Sequence, residues 1–225
     1  MSEEGVLTAL SNDPESLTDF AIEIGLDESC FQFSEIFSFE PEMLEFIPQP
    51  VFSVIFLYPV GEEDGPLETR FMEEREIQPD DPWFTIQTLP NACGTIAVIH
   101  SIANNLDKLK IVEGSWLAKF FEVAKSMSPA QRADYIEGNE EIQDLHEDAA
   151  TEDTTPIIEE YDMNHFITFI QKDGKLWELD GRKPAPICHG KCTNLMNDAL
   201  NVIQTQFMPN VPDPMRTSTT VLTHS

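Results

Sequence analysis

The chain has 225 residues, with 41 Asp and Glu against 13 Lys and Arg, for a formal charge of −28. A surface this acidic meets each approaching phosphate with carboxylates in place of the cations that drive counterion release, so nucleic acid is excluded as a partner and an anionic membrane is disfavoured. Yet 41% of the residues are hydrophobic and 15 are Phe, apolar content that acidic disordered chains lack, and a folded core is expected.

The opening stretch MSEEGVLTAL places no basic segment ahead of an apolar one, and no apolar run approaches membrane-spanning length; a soluble, unexported chain is therefore expected. Cys30, Cys93, Cys188 and Cys192 then fit free thiols in a reducing compartment, the cytoplasm first and the nucleus second. The acid is unevenly spread. Residues 1 to 69 carry sixteen carboxylates and no Lys or Arg, and residues 133 to 171 form a second base-free stretch. One such run is ordinarily a solvated face; two of them point to a partner that is basic where it touches.

In chain order, Asp13-Pro14-Glu15 ahead of apolar positions at helical spacing predicts a capped helix ending at Gly25. The β-branched and aromatic run over 51–59 predicts a buried strand. Residues 61–82 are acidic, Pro-containing and without period, as a surface segment would be. Helical patterns cover 91–106, 113–125 and 128–136. The stretch from 138 to about 161 is polar, acidic and broken by Pro156, and is predicted to be a long loop. Asp173-Gly174 between apolar runs predicts a hairpin with strands over 164–171 and 176–180. A helix near 194–207 and a strand over 217–223 follow. Without repeats or a persuasive boundary, the prediction is one α+β domain spanning 1–225, a monomer.

The segment Gln87-Thr88-Leu89-Pro90-Asn91-Ala92-Cys93-Gly94-Thr95 carries the chemistry. Pro90 keeps the preceding chain out of helix, and Asn91 is predicted to be the N-cap. Cys93 would then lie in a first helical turn, where unpaired N–H groups and the dipole favour the thiolate. Ala92 and Gly94 are small enough to let another backbone approach. A lone cysteine there is more often buried and inert; a nucleophile needs a base. Of five histidines, His100 lies roughly 10 Å up the same helix, His146 sits among carboxylates, His189 lies between two cysteines, and His224 is near the end. His165 opens a strand and is the candidate base.

With Asp173-Gly174 as a two-residue turn, Ile167 faces Asp180, which makes His165 and Asp180 diagonal neighbours with β-carbons roughly 7 Å apart, a span their side chains can bridge. Gln87 can donate an amide alongside the Cys93 backbone N–H to a developing oxyanion. Together the four fill the roles of a papain-like thiol hydrolase. Cys188-His189-Gly190-Lys191-Cys192 offers three ligands at a spacing that does not fit zinc, and no phosphate-binding Gly-rich loop is present. Neither a metal nor a cofactor is expected.

The sequence resembles the ubiquitin C-terminal hydrolase family of papain-like cysteine proteases, most closely its short, single-domain isozyme L-three branch. The resemblance rests on QTLPNACGT from Gln87, on IANN from Ile102, on Asn164-His165-Phe166-Ile167 and on LWELDGRKP from Leu176. Further support comes from PEMLEFIPQPV starting at Pro41 and SPAQRA starting at Ser128, and it extends over nearly the whole chain. It implies an α-β-α sandwich with a central, mainly antiparallel sheet, a papain-like catalytic core and a knotted backbone. It also implies Cys93 as nucleophile, His165 as general acid and base, Asp180 as the orienting carboxylate and Gln87 as oxyanion donor. The acidic stretch of about 138–163 would be a crossover loop that restricts leaving groups to small adducts or unfolded peptides. Ubiquitin, with a ubiquitin-like modifier as a further candidate, would be held by segments 9–14, 148–155 and 214–219. Ala9, Leu10, Glu35, Asn91, Asp162, Met163 and Arg216 are the implied contacts. Leu7 and Ala9 depart from the family, where an aromatic and a proline are common. A ubiquitin-sequestering module with little turnover is the alternative reading.

Overall fold

A computed structural model of the chain describes residues 7–61, 65–73, 75–152 and 164–225. The elements in order are α1 (Pro14–Ile24), β1 (Gln32–Glu35), α2 (Pro41–Leu44), β2 (Val51–Pro59), α3 (Pro66–Thr69), α4 (Cys93–Ala103), α5 (Trp116–Ala124), α6 (Pro129–Glu137) and α7 (Glu140–Glu152), followed by β3 (Asn164–Lys172), β4 (Lys175–Leu179), β5 (Ile187–Lys191), α8 (Leu195–Val202) and β6 (Ser218–Thr223). The strands form one antiparallel sheet in the order β1-β6-β2-β3-β4-β5.

Local chemistry sets several boundaries where the sequence places them. Asp13 accepts the Glu15 and Ser16 amides at the start of α1, and Gly25, at φ 112°, ends it in the left-handed region that glycine enters without penalty. Ser128 and Gln131 close a reciprocal capping box on α6. Asp173 and Gly174 have φ of 52° and 69°, the positive values a two-residue primed turn requires, and Lys172 pairs with Lys175 as predicted.

The sheet is covered on both faces. On one side α4 and α5 pack with α1 and α7 around Phe20, Val98, Ile99, Leu117 and Phe120. On the other, α8 and its continuation as a π-turn over Ile203–Phe207 cover Val54, Phe56, Ile167 and Phe169. Alternation along β3 sends Phe166 to the first core and Ile167 to the second. This is the expected α-β-α sandwich, and the central strand pair β2–β3 at its heart carries His165 opposite Tyr58.

Two expectations are corrected. Asn91 is not the N-cap of α4: Ala92 holds that position without a side-chain hydrogen bond. Asn91 instead takes φ 61°, a left-handed conformation asparagine tolerates, and donates its amide to the Leu7 carbonyl at 2.8 Å. The stretch predicted as a loop from residue 138 begins as a helix, α7. Its buried Ile142, His146, Ala149 and Ala150 recur at helical spacing, a stripe too short and too weakly apolar to stand out of the acid. Asn139 starts it by accepting the Ile142 amide at 3.1 Å. The rest of the predicted crossover loop, with Asp162 and Met163, lies outside the described residues, as does part of segment 148–155.

Candidate active site

Cys93 is the first residue of α4, 5% exposed. Because α4 has no side-chain cap, the N–H groups of its first turn are left for an incoming acceptor, and the helix dipole points its positive end at the sulfur. Helix α4 lies on β3, with the Thr168 hydroxyl donating to the Ala97 carbonyl at 3.0 Å. That packing sets Cys93 Sγ 4.0 Å from the Asn164 carbonyl oxygen, beside His165. Gly94 does not leave room for a foreign backbone: an added β-carbon would meet Leu10 Cβ at 3.0 Å and Phe166 Cε2 at 3.4 Å.

His165 and Asp180 meet as the hairpin arithmetic predicts. His165 Nε2 donates to Asp180 Oδ1 at 2.6 Å, with both side chains at 2% exposure or less. The Arg182 backbone amide donates to the same oxygen at 2.9 Å. On the other side of the imidazole, Nδ1 is buried and has no hydrogen-bond partner among the described residues; with Nε2–H given to Asp180, it is the basic nitrogen available to the thiol. Tyr58 stands edge-on to the ring, centroids 5.7 Å apart at 85°, which fixes the plane of the imidazole.

The electrostatics favour an ion pair. Burial pushes the Cys93 thiol up, but the neighbouring His165 and its positive charge outweigh it, and the thiol ends below its ordinary pKa. Burial pulls His165 down, and Asp180 together with Cys93 reverses this and carries it to about 9. Asp180 resists the upward push of burial because His165 and the Arg182 amide hold its charged form. A thiol moved down and an imidazole moved up are the two halves of a thiolate–imidazolium pair.

Gln87 is held on two sides. Its backbone amide donates to the Gly181 carbonyl at 2.8 Å, its side-chain Nε2 donates to the Leu89 carbonyl at 3.0 Å, and Oε1 is buried without a partner among the described residues. One Nε2 hydrogen remains for an oxyanion. Three of the other histidines are bonded within the fold. His100 is fully buried at Thr85 and stacked on Phe84. His146 bridges the Thr95 hydroxyl and the Thr8 carbonyl, each at 2.6 Å. His189 contacts Glu178 at 2.8 Å. A cavity of about 930 Å³ lined by Phe71, Met72, Trp177 and Ile187 lies elsewhere, and no triad residue borders it.

The predicted partner contacts are partly brought together. Arg216 is exposed and donates to the Asn164 side chain at 3.2 Å, next to His165. Glu35 pairs with Thr220 in the sheet and accepts from Ser218 at 3.5 Å, and Asn12 reaches Ser218 at 3.2 Å, so segments 9–14 and 214–219 adjoin at Glu35. Ala9 is exposed. Leu10 is buried in the core against Gly94 and does not present its side chain to a partner. Two supports escaped sequence reasoning: Tyr58, since β2–β3 pairing is not encoded locally, and the Arg182 amide, which only the folded turn aims.

Residues 7–208 match the family described as ubiquitin carboxyl-terminal hydrolase, family 1. Ubiquitin carboxyl-terminal hydrolase 3 of Arabidopsis thaliana is 35% identical over 207 residues, covering 89% of this chain and 87% of its own. Ubiquitin carboxyl-terminal hydrolase isozyme L1 of Rattus norvegicus is 34% identical over 200 residues, covering 87% of this chain and 89% of its own. Among solved structures, the Trichinella spiralis UCH37 catalytic domain bound to ubiquitin vinyl methyl ester superposes with a TM-score of 0.77 at 20% identity, covering 99% of this chain and 97% of that one. That likeness shows the shared fold.

Proposed function

The chain belongs to ubiquitin carboxyl-terminal hydrolase family 1, and on that premise we propose that it is a thiol-dependent deubiquitinase working through Cys93, His165, Asp180 and Gln87. The observation that carries the reading is the buried line from the first residue of α4 through His165 to Asp180.

The Cys93 thiolate attacks the carbonyl carbon of the C-terminal glycine of ubiquitin. The carbonyl oxygen gains the negative charge and is received by the Cys93 N–H and the Gln87 amide. His165, protonated while Cys93 is a thiolate, gives its Nδ1 proton to the leaving amine as the carbon–nitrogen bond breaks, and a thioester remains. His165 then takes a proton from water, whose oxygen displaces the sulfur and releases the acid. Asp180 keeps the imidazole in the tautomer and orientation both steps need. Substrate choice follows from burial. With Cys93 at 5% and His165 at 1% exposure, the reacting atoms admit a thin, side-chain-free tail and small leaving groups or unfolded peptides.

The test is reaction with ubiquitin bearing a C-terminal electrophile, with the modified residue mapped, together with turnover of a ubiquitin C-terminal amide. Labelling at Cys93 and loss of turnover in Cys93→Ala are expected. Labelling at another residue, or a Cys93→Ala protein that still cleaves, overturns the assignment. Saturable ubiquitin binding without turnover by the unaltered protein would establish the sequestering module instead.

A further inference from the structure

The turn after β4 touches more of the reaction machinery than its one carboxylate. It begins at Asp180, which holds His165, and closes through the Lys183 amide, which donates to the Asp180 carbonyl at 2.9 Å. Between them, the Gly181 carbonyl accepts the Gln87 amide at 2.8 Å. A β-carbon on Gly181 would stand 2.9 Å from Gln87 Cβ and 3.1 Å from Ile96 Cγ2, closer than such atoms pack. Ile96 lies one turn beyond Cys93 on α4. At the end of the turn, the Lys183 side chain is almost wholly buried, and its ammonium donates to the carbonyls of Leu67 at 3.1 Å and Glu68 at 2.7 Å. A buried ammonium satisfied by two carbonyls of α3 is a rigid anchor, since withdrawing it would orphan three groups.

We propose that Gly181 and Lys183 are positioning residues for the reaction: Gly181, by lacking a β-carbon, sets the Gln87 amide at the oxyanion, and Lys183 fixes the turn that holds both Gln87 and Asp180. The inference rests on the deubiquitinase reading above and deepens it. It makes the oxyanion donor and the orienting carboxylate one mechanical unit, so that neither can shift against the other as charge builds on the substrate. Gly181 does not have a left-handed backbone, so alanine is conformationally permitted there and acts through contact alone.

The experiment is a double-mutant cycle on turnover of a ubiquitin C-terminal fluorogenic amide, using the full chain and the variants Gly181→Ala, Gln87→Ala and both together. Gly181→Ala is expected to lower kcat about 10- to 100-fold with KM held within about twofold, because the lost contact exists in the transition state. The double variant is expected to be no slower than Gln87→Ala by more than about twofold, since Gly181 acts through Gln87. Losses that multiply, or an unchanged kcat in Gly181→Ala, overturn the proposal. If Gly181→Ala does not fold, Lys183→Met is measured in its place, with kcat expected to fall and the alkaline limb of the pH–rate profile to move down, because loosening the turn frees both Gln87 and Asp180; an unchanged kcat overturns the proposal. An unaltered protein that fails to cleave the amide refutes the deubiquitinase reading itself, so the two failures are distinguishable.

Discussion

At the level of single residues, the site depends on one proton shared between opposing pulls. Desolvation alone would leave His165 neutral and Cys93 a thiol; the Asp180 carboxylate reverses both by stabilising the imidazolium, which in turn stabilises the thiolate. Activity should therefore persist toward alkaline pH and fall as His165 loses its proton near its pKa of about 9. Asp180→Asn removes the charge that holds the imidazolium. We expect kcat to fall by about 10²-fold or more, with the alkaline limb displaced toward the ordinary histidine range. A pH–rate profile of both proteins checks this, and an unmoved alkaline limb would mean that Asp180 does not set the His165 charge.

Among the elements, α7 shows how one helix can organise several parts of the site. Asn139 accepts both the Ile142 amide at the start of α7 and the buried Trp116 indole N–H of α5, at 3.1 and 3.0 Å. Asn139→Ala should thus lose a cap and orphan a buried donor. We expect destabilisation of about 1–3 kcal/mol in urea unfolding, with kcat of the folded protein nearly unchanged because the Asn139 side chain joins α5 to α7 and bonds neither Cys93 nor His165. Further along α7, His146 and Glu147 grip the N-terminal segment: Glu147 accepts the Thr8 amide at 2.7 Å and its hydroxyl at 2.9 Å, and His146 joins Thr8 to Thr95 on α4. The stretch that looks like a solvated acidic loop in sequence is, over its first half, the clasp between the N-terminal segment and α4.

Taken as a whole, the molecule responds to pH and salt in opposite corners. Burial lowers the pKa of His100 to about 3 and also lowers that of His146. An unfolded histidine titrates near 6.5, so below that pH the unfolded chain binds protons these two refuse. Their contribution is complete above about pH 6.5 and is lost as the pH falls toward the folded values. Urea midpoints should decline between pH 7 and pH 5, and His100→Gln should flatten the slope. The charge of −28 is expected to act on binding. With Glu35 and the adjoining 9–14 segment on the proposed ubiquitin face, association should weaken as salt shortens the Debye length below about 8 Å. Titration at increasing ionic strength checks this, and salt-independent affinity would return the acid to mere solvation.

Whatever depends on neighbours along the chain is readable from the residues in order. The Asp13 and Ser128 caps, the Gly25 stop and the Asp173-Gly174 turn are short-range chemistry. Because a two-residue turn fixes register, the His165–Asp180 contact across the β3–β4 hairpin was legible too. Tertiary structure alone decided what depends on segments that meet only after folding. It placed Cys93 beside His165 by packing α4 on β3, set Tyr58 against the imidazole, and turned Leu10 inward to fill the space left by Gly94. It also gave Asn91 to the Leu7 carbonyl and made a helix of residues 140–152. In each of these the winning interaction lies far away in sequence, where no propensity or spacing can register it, and burial against the sheet supplies the free energy that overrides the local preference.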